Sequence, residues 1–240
     1  MNIKIFADGA DLQSIVEQSK DPLIKGFTTN PTLMRKAGIN DYTQFAFQVL
    51  DHLRTLPTKK SISFEVFADD FPTMAQQALT ISSWGIQSDV PVYVKIPITN
   101  TKGESAVPLI RSLSADGVMV NVTAITTHQQ ISEAVDALTP GTGAIISVFC
   151  GRIADTGVDP IPMMTYARSV CDKVAGTELL WASPREVLNI KQADQCGCDI
   201  ITVTGDLIKK MSLFDKDLNE YSLETVKMFY NDAQAAGFTI

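Results

Sequence analysis

Along this 240-residue chain, short runs rich in β-branched and aromatic residues alternate with longer stretches whose apolar positions recur at helical spacing. The β-rich runs fall at 3–7, 23–28, 61–67, 91–96, 118–122, 144–148, 178–181 and 200–203. Between them, 71–84, 103–115, 128–138, 162–174 and 184–195 carry the spacing of amphipathic helices, and 219–236 predicts an additional helix after the eighth unit. Strands alternating with helices imply a parallel sheet, and their number predicts an α/β fold of the (β/α)8 barrel type, a TIM barrel. An open doubly wound sheet is the alternative. No Pro/Gly/Ser-rich linker and no internal repeat interrupts the pattern, so residues 1–240 are expected to form one domain. Gly141-Thr142-Gly143 stands before a strand, the wrong end for a dinucleotide loop, and reads as a helix-to-strand turn.

One run breaks its own pattern. In VYVKIPITN, residues 92–100, Val92, Tyr93, Val94, Ile96 and Ile98 favour burial, and Lys95 stands among them. A buried ammonium is costly unless it is paired or gives up its proton, and a neutral amine is a nucleophile. Taken alone, a lysine at a strand end snorkels to the surface more often than it reacts.

Composition narrows what such a lysine can serve. With 45% hydrophobic and 20% charged residues the chain has the make-up of a globular protein rather than a disordered one. A net charge of −7 without a Lys/Arg cluster argues against nucleic acid as a partner. No apolar run approaches the roughly 20 residues of a membrane helix, and MNIKIFADGADL lacks the pattern of a signal peptide. Cys150, Cys171, Cys196 and Cys198 form no CxxC pair and suggest free thiols in a reducing cytoplasm. Two histidines, His52 and His128, make a His-rich metal site an unpromising expectation.

In a (β/α)8 barrel, chemistry gathers at the C-terminal ends of the strands. Those ends carry Asp8; Thr28 and Asn30; Glu65; Lys95; Asn121 and Thr123; Ser147 and Phe149; and Ser183 and Arg185. Members of an i,i+2 pair on a strand point the same way, so these polar groups are expected to converge. Ordinary roles stay open for each: Asp8 as a helix cap, Asn30-Pro31 as a helix start, Thr123 and Ser147 as plain strand residues. Glu65, between Phe64 and Val66, calls for a partner. An amine with carboxylates, amides and hydroxyls suits Schiff-base catalysis. A neutral lysine attacks a ketone, the iminium accepts the electrons of a breaking C–C bond, and a carboxylate moves the hydroxyl proton. That chemistry needs no metal and no cofactor. Arg152 in FCGRIAD and Arg185 in Ser183-Pro184-Arg185 follow neighbouring strands, a placement suited to a phosphate.

FADGADL, KGFTTNPTLM, SFEVFAD, YVKIPIT, VNVTAIT, ISVFCGRI and WASPRE occur in the order expected of the transaldolase family, from about residue 3 to residue 206. The chain resembles that family, and its length and the VKIPIT wording resemble the small subfamily close to fructose-6-phosphate aldolases. The resemblance implies a class I Schiff-base enzyme of the pentose phosphate pathway. By it, Lys95 forms the Schiff base, Asp8 exchanges the C4 hydroxyl proton, and Glu65 with Thr123 positions the catalytic water. Asn30, Asn121 and Ser147 bind the dihydroxyacetone hydroxyls with Thr28 in support, while Arg152, Ser183 and Arg185 take the phosphate. Aldolases of the family typically carry Gln at the position of Glu65 and Tyr at that of Phe149, so this chain is expected to transfer rather than release dihydroxyacetone. A simple aldolase is the near alternative, and a non-catalytic sugar-phosphate binder a more distant one. Pro184 departs from the usual Phe. The resemblance also implies a homo-oligomer, a pentamer-based ring or a dimer, with residues 219–236 packed on a neighbour.

Overall fold

The computed structural model describes all 240 residues. Eight parallel strands close into a barrel in sequence order: β1 (Lys4–Asp8), β2 (Ile24–Thr28), β3 (Ser61–Glu65), β4 (Val92–Pro97), β5 (Val120–Ile125), β6 (Ala144–Val148), β7 (Thr177–Trp181) and β8 (Ile200–Val203). β8 pairs back onto β1, which excludes the open doubly wound alternative. The helices around it are α1 (Leu12–Ser19), α2 (Pro31–Lys36), α3 (Tyr42–Leu53), α4 (Phe71–Ser88), α5 (Val107–Ala115), α6 (His128–Asp136), α7 (Cys150–Asp155), α8 (Ile161–Cys171), α9 (Leu188–Gln195), α10 (Gly205–Lys210) and α11 (Leu218–Ala236).

Alternation along the strands builds two apolar zones. Outward-facing residues such as Ile5, Phe27, Phe64, Val94 and Val122 join buried residues of the helices in one core cluster between strands and helices. Inside the barrel, Phe6, Ile145, Leu180, Ala182 and Ile200 form a second cluster, with Tyr93 and Phe149 packed against it. This plug is the floor of the upper barrel. It depends on Gly26, where a Cβ would lie 2.6 Å from Cζ of Phe6, so the ring crosses the barrel only because β2 has no side chain there.

The helices differ from their predicted spans where side chains cap loops. α5 starts at Val107 rather than 103 because Asn100 Oδ1 accepts from the backbone N–H groups of Lys102 and Glu104, at 3.0 and 2.9 Å, and holds a turn. α9 starts at Leu188 rather than 184 because Ser183 is left-handed, with φ of 61°, and Asn189 Oδ1 accepts from the N–H groups of Arg185 and Glu186. The pattern gave no hint of α3 or of the short α7. In α11 no residue is buried, and Leu223, Phe229 and Tyr230 stand exposed. No helix is long and apolar enough to cross a membrane.

Candidate active site

The C-terminal mouth of the barrel opens into a cavity of about 430 Å³. All the predicted site residues line it except Arg185. Strand register does the gathering: Asp8 lies beside Thr28, Glu65 beside Lys95, Lys95 beside Asn121, and Pro97 beside Thr123.

Lys95 does not snorkel. It is 7% exposed, its Nζ lies 2.9 Å from Oε2 of Glu65, and it donates to the Thr29 carbonyl at 2.8 Å. The buried ammonium is therefore paired, which is how its burial is tolerated. Glu65 is held in turn by a residue that sequence reasoning missed. Tyr42, on α3, accepts from the Glu65 N–H and donates to the Glu65 carbonyl, both at 2.9 Å. Burial raises the Tyr42 hydroxyl well above the usual phenol range, so it stays a donor, and the rings of Phe64, Phe67 and Trp84 surround it.

Asp8 completes the charged set. It is not a helix cap; Asp11 caps α1 by accepting from the Ser14 N–H at 2.7 Å. Burial raises the Asp8 carboxyl above its ordinary value, against the opposing pull of Lys95 and of the Thr28 hydroxyl, which donates to Asp8 Oδ1 at 2.8 Å. Thr202, at the end of β8, contacts that same hydroxyl and lines the cavity. A threonine in ITVT carries no signal that separates it from an ordinary strand residue.

On the opposite wall, Ser147 donates to Asn121 Oδ1 at 2.7 Å, and Asn121 Nδ2 donates to Ser63 Oγ at 3.0 Å. This chain fixes the amide, so its donor and acceptor faces are set before any substrate arrives. Ser63 was not predicted; its i,i+2 relation to Glu65 was the available signal. Thr123 Oγ1 is buried and has no protein partner. The next residue, Ala124, has φ of 61°, and the β5–β6 register shifts between Val122 and Ile125, a bulge of the kind that re-aims a side chain. Asn30 does both things proposed for it: its side chain accepts from the Leu33 N–H at 3.0 Å, capping α2, and it lines the cavity.

At the rim, Arg152 from α7 and Ser183 face the cavity. They are brought together at Gly151, where a Cβ would lie 1.6 Å from the Ser183 carbonyl oxygen. Arg185 instead forms a fork-to-fork ion pair with Asp155, on the flank of the mouth. The i,i+2 rule fails here because β7 ends at Trp181 and the left-handed Ser183 turns the chain.

A buried amine against a carboxylate, a second carboxylate of raised pKa and a fixed amide–hydroxyl wall meet at the C-terminal mouth of a (β/α)8 barrel, the end at which enzymes of this fold carry their active sites. Residues 5–240 match the model of the transaldolase/fructose-6-phosphate aldolase family, and the chain belongs to that family. It is similar to a probable transaldolase of Chelativorans sp. (strain BNC1), 33% identical over 232 residues that cover 94% of this chain and 97% of the relative. A probable transaldolase of Hyphomonas neptunium is 33% identical over 240 residues, 99% of this chain and 100% of the relative. One of Dehalococcoides mccartyi is 31% identical over 210 residues, covering 87% and 90%.

Proposed function

We propose that this enzyme transfers a dihydroxyacetone unit from a ketose phosphate (sedoheptulose 7-phosphate or fructose 6-phosphate) to an aldose phosphate (glyceraldehyde 3-phosphate or erythrose 4-phosphate). The transfer runs through a Schiff base on Lys95, within the pentose phosphate pathway. The observation that carries this reading is the buried Lys95 amine 2.9 Å from the Glu65 carboxylate, inside a cavity that also holds Asp8.

Glu65 takes a proton from Lys95, and the freed amine adds to the ketose carbonyl. The carbinolamine loses water, which Glu65 and the unpartnered Thr123 hydroxyl position, and an iminium results. Asp8, ionised, takes the C4 hydroxyl proton; the C3–C4 bond breaks, its electrons pass to the iminium, and an aldose leaves. The enamine then attacks the acceptor aldehyde, Asp8 returns its proton to the new alkoxide, and water hydrolyses the product from Lys95. Asn121 and Ser147, already oriented, bind the dihydroxyacetone hydroxyls, with Asn30 and Thr28 beside them. Arg152 and Ser183, which line the rim of the cavity, take the terminal phosphate in this reading.

Phe149 favours transfer over simple aldol release. It packs against the apolar plug and has no hydroxyl with which to protonate the enamine. Product analysis with fructose 6-phosphate tests this: dihydroxyacetone should appear on the acceptor when erythrose 4-phosphate is present and stay on the enzyme when it is not. Steady release of free dihydroxyacetone without acceptor would make the enzyme an aldolase instead.

The reading includes a cytoplasmic homo-oligomer. The four cysteines are free, and the exposed Leu223, Phe229 and Tyr230 of α11 fit contact with a neighbouring copy, in a pentamer-based ring or a dimer. A monomeric mass by light scattering at micromolar concentration would count against the assembly.

A further inference from the structure

Of the residues that line the cavity, only Lys95 and Arg152 carry positive charge. Arg185 is close by but committed elsewhere: Nε donates to Asp155 Oδ1 at 2.9 Å and the guanidinium's Nη2 to Oδ2. Arg185 holds the Asp155 carboxyl below the usual carboxylate range, and Arg152 adds to the effect, so one carboxylate opposes both rim arginines. A phosphate dianion arriving at this rim brings two negative charges, of which Arg152 offsets one.

The backbone that carries Arg185 is held independently of its side chain's ion pair. Its backbone N–H is anchored to Asn189 Oδ1 at 2.8 Å, and the preceding turn is fixed by the close approach of Ser183 to Gly151. The ion pair itself is about half exposed on both sides, at 45% and 48%. Such pairs exchange readily, and a phosphate offers the same forked geometry with more charge.

We propose that Asp155 is a specificity-determining residue: it holds Arg185 off the cavity in the free enzyme, yields it to the phosphate of a bound sugar, and so sets how strongly phosphorylated substrates are preferred over unphosphorylated ones. This rests on the reading of the rim as a phosphate site. Asp155 touches no reacting atom; it acts through Arg185.

The test compares KM for fructose 6-phosphate and for free fructose, with unphosphorylated glyceraldehyde as acceptor, in wild type, Asp155→Asn, Arg185→Gln and the double variant. Asp155→Asn should lower the KM of fructose 6-phosphate about two- to fivefold, the range of an exposed ion pair, and leave fructose unchanged. That gain should vanish in the double variant, since it needs Arg185. Binding of fructose 6-phosphate to each substitution in a Lys95→Met background repeats the comparison without turnover, and thermal melting establishes that each variant is folded. An unchanged or raised KM for fructose 6-phosphate in Asp155→Asn, an equal shift for fructose, or a gain that survives Arg185→Gln would each overturn the proposal. If Arg185→Gln leaves the preference for fructose 6-phosphate over fructose intact, Arg185 takes no phosphate and the proposal is overturned, while the rim at Arg152 keeps its phosphate reading; no preference for fructose 6-phosphate in the wild type would overturn that reading as well.

Discussion

The barrel buries two lysines, and they keep different company. Lys95 and Lys60 are each 7% exposed, and each donates to a backbone carbonyl at 2.8 Å, that of Thr29 for Lys95 and of Asp21 for Lys60. Lys60 stands just before β3, at the N-terminal end of the barrel, beside a cavity of about 140 Å³ that Arg54 and Lys59 also line. Burial lowers its pKa, against the opposing charge of Asp21, and Lys25 pushes the same way as burial. Lys95 stands at the C-terminal end, against Glu65, within reach of the charge of Asp8, and beneath a cavity three times as large, at about 430 Å³. Burial alone thus does not set Lys95 apart. What distinguishes it is a carboxylate in contact with its amine, a second carboxylate nearby and a larger cavity above it, the features on which the proposed function rests.

The comparison is broken most directly by exchanging each lysine for methionine. Lys95→Met should abolish transfer, at least about 10³-fold in kcat, since it removes the covalent step itself rather than one proton transfer. A steady-state assay with fructose 6-phosphate reads this, and residual turnover near wild type would contradict it.

Asp8→Asn should lower kcat about 10²–10⁴-fold, the worth of a positioned general base. It should also stabilise the protein at neutral pH. The native protein binds the Asp8 proton more tightly than the unfolded chain does, so wild-type stability falls as pH climbs from the ordinary value of 3.8 through the raised native value. The asparagine variant escapes that loss, and its advantage in denaturant melts should close as pH drops below about 3.8. An advantage that persists there would show that burial of the charge is not its source.

Thr28→Val removes the hydrogen bond that holds the Asp8 pKa down. The acidic limb of the pH–rate profile should move to higher pH, with activity below the limb reduced about fivefold, the equivalent of one hydrogen bond of about 1 kcal/mol. A limb that stays in place would detach Asp8 from the rate.

Lys60→Met should have the smallest effect. It should leave kcat within error and change stability by about 1 kcal/mol, for one hydrogen bond. Lys60 sheds its proton more readily when folded, so wild-type stability should gain on the variant as pH rises from the lowered native value toward 10.5. Loss of turnover at neutral pH would make Lys60 more than a structural lysine.

Much of this difference was legible in the sequence, because it rests on alternation. Lys95 in VYVKIP and Glu65 in SFEVF each interrupt an apolar strand with a charge, and strand period with barrel topology is enough to bring them to one mouth. Lys60 gave no such signal, since Lys59-Lys60 reads as an exposed pair before a strand. Tyr42 was out of reach for another reason: its grip on Glu65 depends on how α3 packs against β3, a contact between distant residues that periodicity does not encode. That Arg185 stands off the cavity, paired with Asp155, was not legible, because the i,i+2 alternation does not continue past the end of β7, where a left-handed Ser183 turns the chain.

The most direct measurement is borohydride trapping with fructose 6-phosphate, followed by intact mass and peptide mapping, on wild type and both lysine variants. The account predicts a reduced dihydroxyacetone adduct on the peptide carrying Lys95 in wild type and in Lys60→Met, and none in Lys95→Met. An adduct on Lys60, or none in wild-type protein that binds the sugar phosphate, would contradict it.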